Sequence, residues 1–364
     1  MRYVCFPVFS DVEKSKSLIS FSFSCLIVID AYAKSRDLRA GLKAMKLLSS
    51  MEEAFVKGDS SLMPNAFTYS TVIDALAKRK NDSGKKAEAV LGRMENLFFH
   101  HGGQEPNTAV YNAVINAWAI RGDERARWRS QAILKHMEQQ YRKGKIRKKP
   151  NIISFNTVLK SYSTAKNHTN DAEELLDRME GLHVEGAMGI VPDSISYTTV
   201  ITTYARSNEP GKARSAERIL LRMIDAYKSG NRAAKPVLYS FNACLNACAH
   251  TFNRKDKVDA FRVVVSTLLL LQEYTKPDHT TYGTLLKAWS ILIPKDDERR
   301  SRIVSSVFRQ CCLEGQVGTM VLNQLRFAAS PELYKTLIGK TMQEEVNLKS
   351  IPSQWSRNVK ERQR

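Results

Sequence analysis

Pro64-Asn65-Ala66-Phe67-Thr68-Tyr69-Ser70-Thr71-Val72-Ile73-Asp74-Ala75-Leu76-Ala77 is a phrase that the chain repeats. It returns as PNTAVYNAVINAWA from Pro106, PNIISFNTVLKSYS from Pro150, PDSISYTTVITTYA from Pro192, PVLYSFNACLNACA from Pro236 and PDHTTYGTLLKAWS from Pro277. The steps between these prolines are 42, 44, 42, 44 and 41 residues. The aromatics five places on, Tyr69, Tyr111, Phe155, Tyr197, Phe241 and Tyr282, keep the same steps. A fixed period in this range marks a repeat architecture.

Each copy opens a helix. Proline closes the preceding segment because it cannot continue a helix or donate a backbone bond. The Asn or Asp that follows it in five of the six copies can cap the next helix with its side-chain oxygen. Tyr111, Val114, Ile115 and Trp118 then fall at i, i+3, i+4 and i+7, one face of a helix, and Tyr69 to Leu76 and Phe155 to Tyr162 repeat the stripe. After a polar break such as Arg121-Gly122-Asp123 or Asn208-Glu209-Pro210-Gly211, a second helix follows. There Met51, Met94, Met137, Met179 and Met223 hold register. We call the two helices of a unit A and B. A single hairpin cannot bury its apolar face alone, so neighbours must stack. The reading is an all-α, right-handed superhelical solenoid of about seven helical hairpins, spanning 22–65, 66–107, 108–151, 152–193, 194–237, 238–278 and 279–312. Residues 1–21 stay unassigned, 313–343 read as a helical cap, and 344–364 as a loose, disordered basic tail.

The chain has 364 residues, with 56 Lys and Arg against 37 acids, a net charge of +19. That excess points first to a polyanionic partner. The densest basic run is Arg142-Lys143-Gly144-Lys145-Ile146-Arg147-Lys148-Lys149, which reads either as a solvated loop or as a phosphate-contacting arm. Six cysteines form no CxxC pair, and Cys244 and Cys248 sit on a helix A stripe as small core residues. No stretch is long and apolar enough to span a membrane. The first residues do not read as a secretory signal or an organelle presequence.

The phrase Pro-[Asn/Asp]-x-x-x-[Tyr/Phe]-[Asn/Ser/Thr]-x-[Val/Leu]-[Ile/Leu], with the Leu- and Met-bearing helix B, resembles the pentatricopeptide repeat over about residues 22–312. HEAT-type repeats share the period but not the opening phrase. The units here run 41–44 residues, longer than the family's usual repeat of roughly 35. The resemblance implies a modular binder of single-stranded RNA, one base per repeat. In the family the reading residues are the polar one after the aromatic and the last one of the unit. Carried over, these are Ser70 with Asn107, Asn112 with Asn151, Asn156 with Asp193, Thr198 with Val237, and Asn242 with Asp278. The family's rule gives adenine, cytosine, uracil, any base, uracil, from 5′ to 3′. Leu26 with Asn65, and Gly283, are not expected to read a base. Phe67, Ile153, Ile195 and Tyr239, three places before the polar residue, are expected to pack on base faces. Arg142, Lys143, Lys145, Arg147, Lys148 and Lys149 are the candidate phosphate contacts. The polar residue adjoins the buried aromatic and is therefore expected on the exposed flank of helix A. Read without the resemblance, the Asn and Asp residues after the prolines serve equally as helix caps, and those after the aromatics as ordinary exposed polar groups.

No phosphate-binding glycine loop, zinc-deaminase pair or compact acid cluster is present in the sequence, so no catalytic residue, metal or cofactor is expected and the chain is not read as an enzyme. The expected partner is single-stranded RNA, with an RNA-processing enzyme or translation factor as a further partner, and neither membrane nor small-molecule substrate. Family resemblance implies organelle transcripts, in a mitochondrion or plastid, and roles in RNA processing, stability or translation; otherwise the setting is cytoplasmic or nuclear. The alternative from another class is a helical scaffold that binds a protein partner.

Overall fold

The structure, a computed structural model, describes residues 14–35, 37, 39–78, 82–164, 168–186 and 189–359. Among them every regular element is helical, and none is a strand. The chain divides into two compact units, Met1–Ala165 and Lys166–Arg364.

In the first unit the A helices are α1 (Lys14–Lys34), α3 (Ala66–Ala77), α5 (Thr108–Ala119) and α7 (Ile152–Thr164). The B helices are α2 (Ala40–Val56), α4 (Ser83–His101) and α6 (Glu124–Arg142). Each A helix packs on the A helix of the next hairpin, and each of these B helices packs on the A helices on either side of it. Residues 1–13 lie outside the described residues, whereas 14–21, unassigned in the sequence reading, begin α1.

The second unit opens with α8 (Thr169–Val184), the B helix of the 152–193 repeat, so the division between units falls inside that repeat. Then come the pairs α9 (Ser194–Arg206) with α10 (Lys212–Lys228), α11 (Leu238–Ala249) with α12 (Lys257–Tyr274), and α13 (His279–Leu292) with α14 (Glu298–Leu313). The short helices α15 (Thr319–Ala328) and α16 (Pro331–Ile338) follow. α15 packs along α13 in the place where a next A helix would lie.

The sequence explains why the helices start where they do. Asn65, Asn107, Asp193 and Asp278 are N-caps in extended backbone, each accepting from the amide three residues on. Asn151 accepts from the Ser154 amide in the same way at 3.1 Å. Val237 occupies the same position on α11 without a side-chain cap. The aromatics Tyr69, Tyr111, Phe155, Tyr197 and Phe241 are buried, as are Met51, Met94, Met137, Met179 and Met223 between the helices. Cys244 and Cys248 are buried core residues, and burial pushes the Cys244 thiol up to about 12.

Two features hold these long repeats in register. The first is a ladder on the B helices, from the residue before the methionine to the residue after the previous methionine. Arg93 Nε donates to Glu52 at 2.8 Å, His136 Nε2 meets Glu95 at 2.8 Å, and Arg222 Nη2 donates to Glu180 at 2.6 Å. The same carboxylates accept from the A-helix phenols: Tyr69 to Glu52 at 2.9 Å, Tyr111 to Glu95 at 2.7 Å, Tyr197 to Glu180 at 2.9 Å. The second lies in the extra residues ahead of each proline. Leu62, Ile146, Ile190 and Ala234 are buried there as plugs. Gln104 accepts from the Ala66 amide, Arg147 Nε donates to Glu105 at 2.9 Å, and Asn231 donates to the Pro192 carbonyl at 2.8 Å.

The ladder predicts an acid dependence. Burial acts to raise the Glu95 pKa, but hydrogen bonds from His136 and Tyr111 outweigh it and hold the carboxyl below its usual range. A depressed carboxyl contributes stability that is present above its unfolded pKa and lost as pH falls through the folded value. The stability advantage of the natural chain over Glu95→Gln should therefore be full at neutral pH and shrink below about pH 4. Urea unfolding at several pH values checks this; an advantage unchanged in acid would contradict it.

The end of the chain departs from the sequence reading. Residues 344–359, expected as a loose tail, fold back onto the end of α14. The Val317 amide donates to the Trp355 carbonyl at 2.8 Å, and the Asn358 amide to the Gly315 carbonyl at 2.9 Å. Trp355 meets the Phe308 ring edge-on, centroids 5.8 Å apart. The Trp ring brings a large apolar area to a small contact; Ile351 of the same stretch is also buried, and Asn358 Nδ2 donates to the Glu314 carbonyl at 2.8 Å. Residues 360–364 of that tail lie outside the described residues.

Candidate nucleic-acid interface

The candidate reading residues sit at two fixed places, one on each A helix and one at the N-cap of the next. In the third hairpin these places meet: Asn112 Nδ2 approaches Asn151 Oδ1 at 3.5 Å. Asn112 Oδ1 is buried and has no hydrogen-bond partner among the described residues. In the sixth hairpin Asn242 Nδ2 donates to Asp278 Oδ1 at 3.4 Å, and Thr281 Oγ1 donates to Asn242 Oδ1 at 2.8 Å. The N-cap role and the pairing with helix A are thus one arrangement. The cap oxygen faces its own helix amides and the amide of the preceding A helix together.

The other positions differ. The Ser70 hydroxyl donates to the Phe67 carbonyl of its own helix at 3.1 Å, and Asn107 is occupied by the Val110 amide at 3.2 Å. Asn156 is half-buried in the first unit; Asp193, in the second, caps α9. Thr198 is not on an exposed flank. It is 3% exposed and its hydroxyl lies 2.5 Å from that of Ser240. Its hydroxyl is turned onto Ser240 of the next A helix, and that packing covers it. Val237 is partly exposed and has no polar atom to offer. Asn242 is also more buried than expected, at 9%. At the seventh position, a Cβ on Gly283 would lie 2.7 Å from Met320 Cγ. α15 therefore fills the space that a reading side chain would need.

Phe67, Ile153, Ile195 and Tyr239 are each the second residue of an A helix and are between 57% and 64% exposed. Large apolar groups recurring at one exposed position have no core to fill. In the second unit a cleft of about 550 Å³ brings Tyr239, Asn242 and Asp278 together with Arg206, Asn246 and Met320. It combines an aromatic face, amide donors and acceptors, a carboxylate and a cation.

The basic run follows α6. Ile146 anchors it in the core while Arg142, Lys143, Lys148 and Lys149 are exposed. Arg147 is held by Glu105, and Lys145 lies 5.6 Å over the Phe99 ring. Those two charges are partly committed within the protein. Among the described residues no group of His, Cys, Asp and Glu is placed to hold a metal ion, and no helix is long and apolar enough to cross a membrane.

The sequence reading missed the B-helix ladder, although its signal, a basic residue–Met–Glu triplet, stands at Arg93–Glu95, His136–Glu138 and Arg178–Glu180. It also missed Met320, which no local pattern marks.

No protein-family model matches the chain, and no curated protein matches it by sequence. Among solved structures it is similar to the crystal structure of the pentatricopeptide repeat protein PPR10 from maize, with a TM-score of 0.54 and 20% identity. That match covers 87% of this chain and 38% of that one. PPR10 in complex with an 18-nt psaJ RNA element matches at a TM-score of 0.44 and 18% identity, over 89% of this chain and 43% of that one. This chain thus spans well under half the length of the structures it matches. The stacked hairpins, the capped A helices and the likeness to PPR10 together make this a pentatricopeptide-repeat-like fold.

Proposed function

We propose that the chain binds single-stranded RNA along its A helices and reads individual bases there. The observation that carries this is the pairing of Asn242 with the Asp278 cap beside exposed Tyr239, all in one cleft. Uracil presents a carbonyl acceptor beside an N–H donor. An amide N–H next to a carboxylate oxygen complements that edge, and the Thr281 amide and Asn242 both donate to Asp278 Oδ1, which leaves Oδ2 to accept. The Asn112–Asn151 pair repeats the contact of an A-helix amide with the next cap. Aromatic stacking, worth ~1–3 kcal/mol per base, gives Tyr239 a use for its exposure. The preferred core is adenine, cytosine, uracil, any base, uracil. The fourth position is silent because Thr198 is covered and Val237 is apolar.

The role is non-catalytic: occupying a site so as to govern processing, stability or translation of a transcript. On family resemblance alone we place that transcript in a mitochondrion or plastid, and count an RNA-processing enzyme or translation factor as a further partner.

Selection of the purified chain against a random single-stranded RNA pool tests this, with Asn242→Ala alongside. Enrichment of the core is expected, with the variant relaxed at the final uracil and about tenfold weaker, the cost of leaving one polar group unmatched. Affinity should fall with salt at a slope of about −0.7 per phosphate contact. Binding without enrichment would remove base reading. No binding at low salt would sink the RNA reading and favour a protein-binding scaffold.

A further inference from the structure

We infer that the outer face of α6 is a second RNA-binding track, independent of sequence and separate from the A helices. Residues 125–149 hold ten Lys or Arg and a single acid, Glu138, which is buried. Nearly half of the chain's excess of +19 lies in this stretch. Helical geometry sorts these residues. Ala126, Ser130, Ile133, Leu134 and Met137 form the buried face of α6. At about 100° per residue, Arg125, Trp128, Lys135, Gln139 and Arg142 fall on one stripe about half a turn from that face. All five are exposed, and the stripe runs on into Lys143, Lys148 and Lys149.

Most of these cations are unspent. Arg127 pairs with Glu124, Arg129 with Glu88 and Arg147 with Glu105. Among the described residues, Arg125, Lys135, Arg142, Lys143, Lys148 and Lys149 have no ion-pair partner. Trp128, in the middle of the stripe, is 59% exposed. The Arg129 guanidinium lies 5.4 Å from its ring and covers one face, which leaves the other for a stacking base. A tryptophan between free cations suits a strand with a phosphate and an aromatic ring in every residue. An acidic peptide supplies only the charge. The track spans about 27 Å from Arg125 to Lys143.

The inference rests on the proposed function only in naming RNA as the polyanion. It predicts that RNA reaching beyond the bases read on the A helices gains affinity through α6. The test compares a five-base core RNA with the same core carrying fifteen unstructured nucleotides on each side, at low salt. The full chain should bind the longer RNA about tenfold more tightly. Trp128→Ala and the pair Arg125→Glu/Lys135→Glu should lose that gain and keep core affinity, with helicity and melting unchanged. Trp128→Phe should keep the gain. A gain that survives Trp128→Ala and the charge reversals would overturn the track. If the core RNA fails to bind but polyuridine binds in a Trp128-dependent way, the track stands and base reading falls. Polyaspartate that competes as well as polyuridine would overturn the assignment to RNA.

Discussion

Arg300→Ala is expected to lower stability by about 2–4 kcal/mol, since several charged hydrogen bonds go and buried carbonyls are left unpaired. Arg300 is 5% exposed and faces carbonyls rather than an acid. Nε donates to the Ala328 carbonyl at 2.9 Å and Nη2 to that of Phe327 at 2.7 Å, at the end of α15. Nη1 donates to the carbonyls of Ile293 at 3.0 Å and Ser290 at 3.2 Å, at the end of α13. These are orphan groups at two helix C-termini, where the helix dipoles also favour a cation. Burial lowers the guanidinium's pKa, yet an arginine stays charged at neutral pH. Arg300→Lys should recover only part of the loss, because one ammonium cannot span two helix ends. Urea unfolding measures the change, and hydrogen exchange over 319–328 should show the loosening. A loss under about 0.5 kcal/mol would mean that water replaces the guanidinium.

Gly84→Ala should destabilise by about 1–3 kcal/mol, the range for overpacking a filled core. Helix propensity alone argues the other way, since alanine is better than glycine inside a helix by about 1 kcal/mol. The sterics win here because a Cβ at Gly84 would overlap the indole ring of Trp118. Trp118 has little room to move: it is 1% exposed, and its Nε1 donates to Glu88 at 3.2 Å, which also holds Arg129. Gly92 on the same helix is the control, with nothing within 4 Å of a built Cβ. Gly92→Ala should be neutral or stabilising. Thermal melts of the two variants give the comparison; equal shifts would show that Trp118 repacks freely.

The hairpins were legible because their signals are local. Proline stops, Asx caps and a 3.6-residue stripe each need only a few neighbours, and six copies average out the exceptions. The exposed row of Phe67, Ile153, Ile195 and Tyr239 was legible for the same reason: its place next to a cap leaves it outside the stripe. Thr198 was not, because its neighbour Ser240 lies 42 residues on and only packing brings the two hydroxyls together. Trp355 and Met320 belong to no repeat, so no period announced where they would dock.

The order of helices, the caps and the buried faces were written in the sequence alone, since hydrophobic period and capping act over one or two turns. Tertiary structure decided the rest: which amides meet a neighbouring cap, which hydroxyl is covered, and which arginine clamps two helix ends. Those outcomes depend on distances between hairpins some forty residues apart, and such distances are set by how side chains of particular volume fill the space between helices. The Asn242–Asp278 pair shows both levels, its residue types readable in the chain and its shared hydrogen bond made only by the stack.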